Sequence, residues 1–224
     1  MILTYHEGGC VRASAGDTTI VFGPVSKGSR RFRPTNFGAD IALISLNDSD
    51  MNGADEASRG DKEPFIVSGP GEYEVSGIAI AGFPTKSTYG LDPSTNLGAG
   101  QPSSAKASQG GRINTVYALT FDGISILYLG AIDETTLPSE LSEMDEPDII
   151  FVPISADGTL SPSDANKLCV NLEAKIVIPI FYNEQSLKQF LKEAGEEKPE
   201  KVEKLTLKPR DLVGKEGDVI VLIA

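Results

Sequence analysis

Short apolar runs cut by glycine, proline, asparagine and aspartate fill most of this chain, and they predict strands joined by tight turns. Ile2 to Tyr5 is the first such run. Cys10 to Ser14 and Thr18 to Phe22 form a hairpin across Ala15-Gly16-Asp17, and Ile41 to Ser45 reads as a buried strand that ends in a polar loop. Phe65 to Val67 is a short strand before the turn Gly69-Pro70-Gly71. Two more hairpins follow, Glu72 to Val75 with Ile78 to Phe83, and Asn114 to Phe121 with Ile124 to Leu129. A short helix is expected near Pro138 to Met144, then a strand at Asp148 to Pro153. From there strands and helices alternate. Ser161 is placed to cap a helix with Pro162 at its first position and Ala165, Leu168, Cys169 and Leu172 on one face. After the strand Lys175 to Pro179, Leu187, Phe190, Leu191 and Ala194 repeat that helical spacing up to Gly195. Glu196 to Lys204 reads as a charged connector and Asp218 to Ala224 as a closing strand.

Two stretches lack the apolar residues that a core element needs. Leu46 to Glu63 is acidic, which predicts an exposed loop. Thr85 to Arg112 is rich in Gly, Ser, Pro, Ala and Gln, which predicts a mobile loop insertion, 85–112, exposed or acting as a lid. The strand-rich part also repeats itself weakly. A hairpin, Phe22-Gly23, an interval and Ala39-Asp40-Ile41 are echoed by a hairpin, Leu129-Gly130, an interval and Pro147-Asp148-Ile149, with 17 positions from Gly23 to Asp40 and 18 from Gly130 to Asp148. Such a duplication predicts an α/β fold of two similar sheets packed face to face with pseudo-twofold symmetry, in one domain spanning 1–224.

Composition narrows the chemistry. The chain has 224 residues and a formal charge of −12, a field that repels phosphate backbones and makes nucleic acid a poor partner. Arg30-Arg31-x-Arg33 is the one local basic run, expected to be a solvated loop. No apolar run is long enough to span a membrane, and Met1 leads into a strand instead of a signal peptide, so a cytoplasmic location is expected. Cys10 and Cys169 lie in no Cys-x-x-Cys arrangement and read as core thiols. His6 is the single histidine, so no multi-histidine zinc site can be assembled.

The candidate chemistry centres on Ala39 to Gly53, a strand followed by a loop with Asp48 and Asp50. This segment resembles the signature strand and loop of the metallo-β-lactamase superfamily, in which His-x-His-x-Asp-His follows the strand and holds one or two metal ions. Laid on this chain, the motif falls at Leu46, Asp48, Asp50 and Met51, so the aspartate alone is kept, at Asp50. Gly69 to Val75, Asn114-Thr115-Val116-Tyr117, Asp157-Gly158-Thr159-Leu160 and Lys175-Ile176-Val177-Ile178-Pro179 are similar to stretches of one branch, the predicted zinc-dependent hydrolases related to ascorbate-phosphate lactonase. The resemblance implies an αββα sandwich and, for active members, zinc or manganese. It places the family's bridging aspartate at Ala131 and its final histidine at Phe181. The aspartate usual after the first hairpin falls at Gly23, and an N-terminal histidine falls at Gly8. Pro84 to Thr88 follow the strand after which another histidine is expected.

These positions lead to two expectations of different class. The first is a non-catalytic homologue, without a metal cofactor, whose old cleft has an apolar floor of Leu46, Met51, Ala131 and Phe181. It would act as a subunit of a homo-oligomer or complex, or as a binder of an unidentified small molecule. The second is a divergent hydrolase of esters, lactones or phosphoesters, with Asp48, Asp50 and Asp133 converging on Mg²⁺, Mn²⁺ or Ca²⁺, helped by Asn47 or Glu134. His6 with Glu7 is a weaker acid/base candidate, because neighbours on a strand face opposite ways. Ser45 and Cys10 have no evident base and are weak nucleophiles.

Overall fold

The computed structural model describes residues 1–91, 111–142 and 144–224. Two mixed sheets face each other across the main core. The six-stranded sheet is built from β1 (Ile2–Tyr5), β2 (Val11–Ala15), β3 (Thr18–Phe22), β4 (Ile41–Ile44), β5 (Phe65–Ser68) and the short β13 (Leu205–Thr206), in the order β13-β1-β2-β3-β4-β5. The eight-stranded sheet runs β12 (Glu200–Val202), β14 (Asp218–Leu222), β11 (Ile176–Ile180), β10 (Ile149–Pro153), β9 (Ile124–Tyr128), β8 (Arg112–Phe121), β7 (Ile78–Ser87) and β6 (Gly71–Val75).

Alternation along the strands sends one set of side chains into the space between the sheets, among them Leu3, Phe22, Leu43, Tyr117, Tyr128 and Phe151. Fully burying one such Leu or Phe contributes about 1.5–3 kcal/mol, so this layer dominates the stability. Helices α2 (Pro162–Asn171) and α3 (Glu184–Glu193) pack Leu168, Cys169 and Phe190 on the outer face of the eight-stranded sheet. The start of α2 follows its sequence signal, and that of α3 is capped by residues the sequence reading did not name. Ser161 accepts from the Asp164 N–H at 3.1 Å, and Asn183 and Ser186 form a capping box. The third helix, α1 (Ser139–Ser142), is a single turn. No helix among the described residues is long and apolar enough to cross a membrane. On the outer face of the six-stranded sheet the cover is a loop layer with Val25, Phe37 and a 3-10 turn at Asp55–Ala57.

The internal repeat is present in the backbone. In each half an antiparallel hairpin is followed by a parallel strand, β2-β3-β4 in one and β8-β9-β10 in the other. Asp40 and Asp148 take the same place in the two halves. Each precedes the parallel strand, and each carboxylate accepts from the amide one residue ahead of the paired positions, Thr19 at 2.7 Å and Ser125 at 2.8 Å. Each also pairs with a lysine ahead of the next strand, Lys62 and Lys175. The Gly23 N–H donates to the Leu43 carbonyl and the Leu129 N–H to the Phe151 carbonyl, so Gly130 stands one residue beyond the strict equivalent of Gly23.

Three sequence expectations need correction. The stretch Leu46 to Glu63 is not exposed throughout: Leu46, Asp50, Met51, Ala54 and Ala57 are buried, because its few apolar side chains all turn inward. The charged connector Glu196 to Lys204 contains β12, an edge strand parallel to β14; backbone pairing does not need apolar side chains, and charge suits an edge. The expected loop 85–112 overlaps the β7–β8 ladder at both ends. The β7–β8 ladder continues to Ser87 opposite Arg112, and Tyr89 beyond it is buried, while residues 92–110 lie outside the described residues.

Candidate functional site

Strand β4 is buried along its whole length, and its C-terminal end delivers the chain into the Leu46 to Gly53 loop at one edge of the space between the sheets. Two contacts fix this end. The Thr115 N–H donates to the Ser45 carbonyl at 2.7 Å, which ties the two sheets together, and the Tyr117 hydroxyl donates to the Ile44 carbonyl at 2.8 Å. Asn114 organises the facing turn. Its side-chain oxygen accepts from the Ala131 N–H at 2.9 Å, and its amide donates to the Leu129 carbonyl and to the Thr85 hydroxyl, each at 2.9 Å. Gly130 sits between these groups with a φ of +63°, and a Cβ there would lie 2.5 Å from the Asn114 oxygen and 2.7 Å from the Ser45 Cβ. Only glycine combines that conformation with that closeness.

Leu46, Met51, Ala131 and Phe181, the four positions expected to floor the cleft, are each buried in the core between the sheets. The Ser45 hydroxyl lies 3.5 Å from the Met51 sulfur, and no base faces it among the described residues. Phe181 has a φ of 51°, and its N–H donates to the Gly8 carbonyl at 2.8 Å. That left-handed conformation costs a non-glycine residue about 1–2 kcal/mol, which the surrounding aromatic packing must offset. The Tyr128 hydroxyl, donating to the Gly9 carbonyl at 2.8 Å, fills the space beside Gly23.

Above this floor lies a residue that sequence reasoning passed over. Tyr89, 1 % exposed, turns into the pocket from the strap Thr88 to Leu91 and stacks at a tilt on Phe181, ring centroids 5.3 Å apart. Its hydroxyl donates to Asp50 Oδ2 at 2.6 Å, and the Ser29 hydroxyl donates to Asp50 Oδ1 at 2.6 Å. Both oxygens of the one retained motif aspartate are therefore engaged. Burial, and then the adjacent Asp50 carboxylate, push the Tyr89 hydroxyl well above its ordinary pKa, so it stays a proton donor. Arg31 lies over the outer side of the ring at 5.1 Å and is anchored by Asp157. Gly158, φ +67°, lies so near that a Cβ would come within 2.5 Å of the Tyr89 Cα.

The other carboxylates of the expected metal set hold the strap instead of meeting one another. Asp48 Oδ2 accepts from Arg112 at 2.6 Å, and the same guanidinium donates to the Tyr89 carbonyl at 3.0 Å and to the Asn47 carbonyl. Asp133 accepts from the Thr88 N–H at 2.8 Å, and Glu134 from the Lys86 N–H at 3.2 Å. Among the described residues no three His, Cys, Asp or Glu side chains are placed to hold one metal ion.

The remaining candidates lie elsewhere. His6 packs at a tilt on Phe37, ring centroids 4.5 Å apart, and bonds the Thr4 hydroxyl at 3.1 Å, while Glu7 accepts from the Arg33 N–H, so the two form no acid/base pair. Burial, then Arg12, lower the pKa of His6. Burial pushes the Cys10 thiol up to about 11, and Cys169 also rises, which leaves both as neutral thiols. Arg30, Arg31 and Arg33 are exposed, as expected of the basic run, and Arg31 in addition lies over the Tyr89 ring. The signal for Tyr89 was there to find: it is the one aromatic residue in a long stretch of small and polar ones.

Comparison with known proteins agrees with this architecture. The sequence matches the family described as the Beta-lactamase superfamily domain over residues 2–181. It is 25 % identical over 201 residues to a UPF0173 metal-dependent hydrolase of Bacillus velezensis, covering 82 % of this chain and 86 % of that one. A UPF0173 metal-dependent hydrolase of Listeria innocua is 26 % identical over 202 residues with the same coverage. Among solved structures, a Thermotoga maritima protein named as a Zn-dependent hydrolase of the metallo-β-lactamase superfamily superposes with a TM-score of 0.69. It is 22 % identical, with 99 % of this chain and 97 % of that chain covered, a likeness of fold.

Proposed function

We propose, for a chain that belongs to the β-lactamase superfamily and has the metallo-β-lactamase fold, that it acts by binding and not by metal-dependent hydrolysis. The observation that carries this reading is Tyr89, which is buried against Phe181 and donates to Asp50. The zinc or manganese that such a fold implies does not fit the donors present. Leu46, Ala131 and Phe181 offer hydrocarbon, Met51 a thioether directed at Ser45, and the Asp48 and Asp50 carboxylates are engaged by Arg112, Ser29 and Tyr89. On this reading the protein is a subunit of a homo-oligomer or larger complex, or a binder of a small molecule. The charge of −12 disfavours nucleic acid.

The relatives favour a second reading, since those matched over most of this chain are named metal-dependent hydrolases. In it Asp48, Asp50 and Asp133 bind an oxygen-loving cation for hydrolysis of an ester, lactone or phosphoester, and the Tyr89 strap has to move before they converge. A panel of lactones, nitrophenyl esters and nitrophenyl phosphates, assayed with Zn²⁺, Mn²⁺ and Mg²⁺, separates the two. The binding reading predicts that wild type and Asp50→Ala do not differ. Turnover that disappears in Asp50→Ala would establish the hydrolase.

A further inference from the structure

The outer face of the eight-stranded sheet is covered unevenly. One row of directly paired residues crosses it, Val177 on β11, Ile150 on β10, Leu127 on β9, Ala118 on β8, Ala81 on β7 and Glu72 on β6. Its large members pack in the layer beneath α2 and α3. Side-chain size then falls to alanine where the long helices stop, and the row ends in an acid at the sheet edge. The result is a groove of about 900 Å³ floored by Ala81, Ala118 and Leu127 and walled by Leu137, Leu141 and Leu172. Glu72 and Glu74 on the edge strand form one bank. Asp145 and Glu146 after α1 and Glu173 after α2 form the other, and no lysine or arginine lines it among the described residues.

We propose that this groove docks a basic amphipathic helix of a partner protein. Strands lie about 4.8 Å apart, so β6 to β8 span about 10 Å, close to the roughly 10–12 Å diameter of one helix with its side chains. The alanine floor lets a helix approach the sheet closely, and an apolar stripe at i, i+3, i+4 and i+7 meets the leucine wall. Lysines and arginines flanking that stripe reach carboxylates on both banks. A small organic cation would meet one bank, and a second copy of this chain brings another net charge of −12 against an acidic rim.

The test uses a Leu/Lys peptide of about 18 residues, long enough to form a helix, and its Leu/Glu counterpart, with binding to the full chain followed by fluorescence anisotropy. The Leu/Lys peptide is expected to bind and the Leu/Glu peptide not to. Ala81→Trp, which fills the groove from a partly exposed position, is expected to weaken binding tenfold or more, about 1.4 kcal/mol. The exposed double variant Glu74→Lys/Glu146→Lys should do the same if the tryptophan disturbs folding by circular dichroism. Absence of binding, or equal binding by wild type and both variants, would overturn the proposal, the latter showing attraction to overall charge alone. Self-association in sedimentation equilibrium that Ala81→Trp abolishes would overturn it in favour of a second copy.

Discussion

The two ends of β4 are built on different rules. At the N-terminal end Asp40 ties β3, β4 and the segment before β5 together, and Asp148 does the same for β9, β10 and the segment before β11. The device is symmetric, each carboxylate taking one backbone amide and one lysine. At the C-terminal end the halves part. There β4 runs into a loop whose Asp50 is engaged by Tyr89, 39 positions away, and that tyrosine is held in turn by Arg31, Asp133, Asp157 and Arg112 through further contacts. The frame is the repeated part of the molecule, whereas the chemistry at its mouth depends on side chains drawn from separate loops.

Changes at the two ends should therefore differ in size and in kind. The largest effect is expected from Gly130→Val, which forces a branched side chain into a left-handed residue against Asn114 and Ser45, at a cost of about 3 kcal/mol or more in urea unfolding. If that variant unfolds like wild type, the mouth is less tightly framed than described. Tyr89→Ala empties the pocket and should lower global stability by about 3 kcal/mol if the strap unfolds with the core. A loss far below that, with rapid amide exchange confined to Thr88 to Leu91, would mark the strap as a separately opening unit.

Tyr89→Phe removes one donor from buried Asp50 and should cost about 1–3 kcal/mol, whereas Tyr73→Phe, at a partly exposed hydroxyl, should cost less. The smallest effects belong to the symmetric end. Burial alone would raise Asp40 and Asp148, but Lys62 and Lys175 and the backbone donors outweigh it and hold both below the ordinary carboxylate value. A depressed carboxylate contributes stability that is present above its unfolded pKa and is lost as pH falls through its folded value. Melting temperature should accordingly fall as pH drops below about 4, and less steeply in Asp40→Asn and Asp148→Asn. Equal slopes in wild type and both variants would contradict the paired device.

The same contrast explains what the sequence disclosed. Strand positions, the Ser161 cap and the Gly195 stop were legible because they rest on local periodicity, on a capping side chain and on a turn residue. The family motif picked out Leu46, Met51, Ala131 and Phe181, and each of the four is buried. Tyr89 stands out as the one aromatic of its stretch, but its bond to Asp50, like the roles of Arg112, Asp133 and Asp157, was hidden because each acts on a partner far along the chain. The β12 edge was missed for a different reason, since backbone pairing leaves little trace in a run of lysine and glutamate.

Metal content, measured by elemental analysis on protein purified without a histidine tag and followed by melting with added Zn²⁺, Mn²⁺ and Mg²⁺, decides whether Asp50 still serves as a ligand. A cation held by the folded chain at about a hundred times its Kd would add about 2.7 kcal/mol, a rise of roughly 5–10 °C for a chain of this size. The plugged pocket predicts substoichiometric metal and no such rise. One metal per chain, or a rise that Asp50→Ala abolishes, would contradict the account and make Asp50 a ligand.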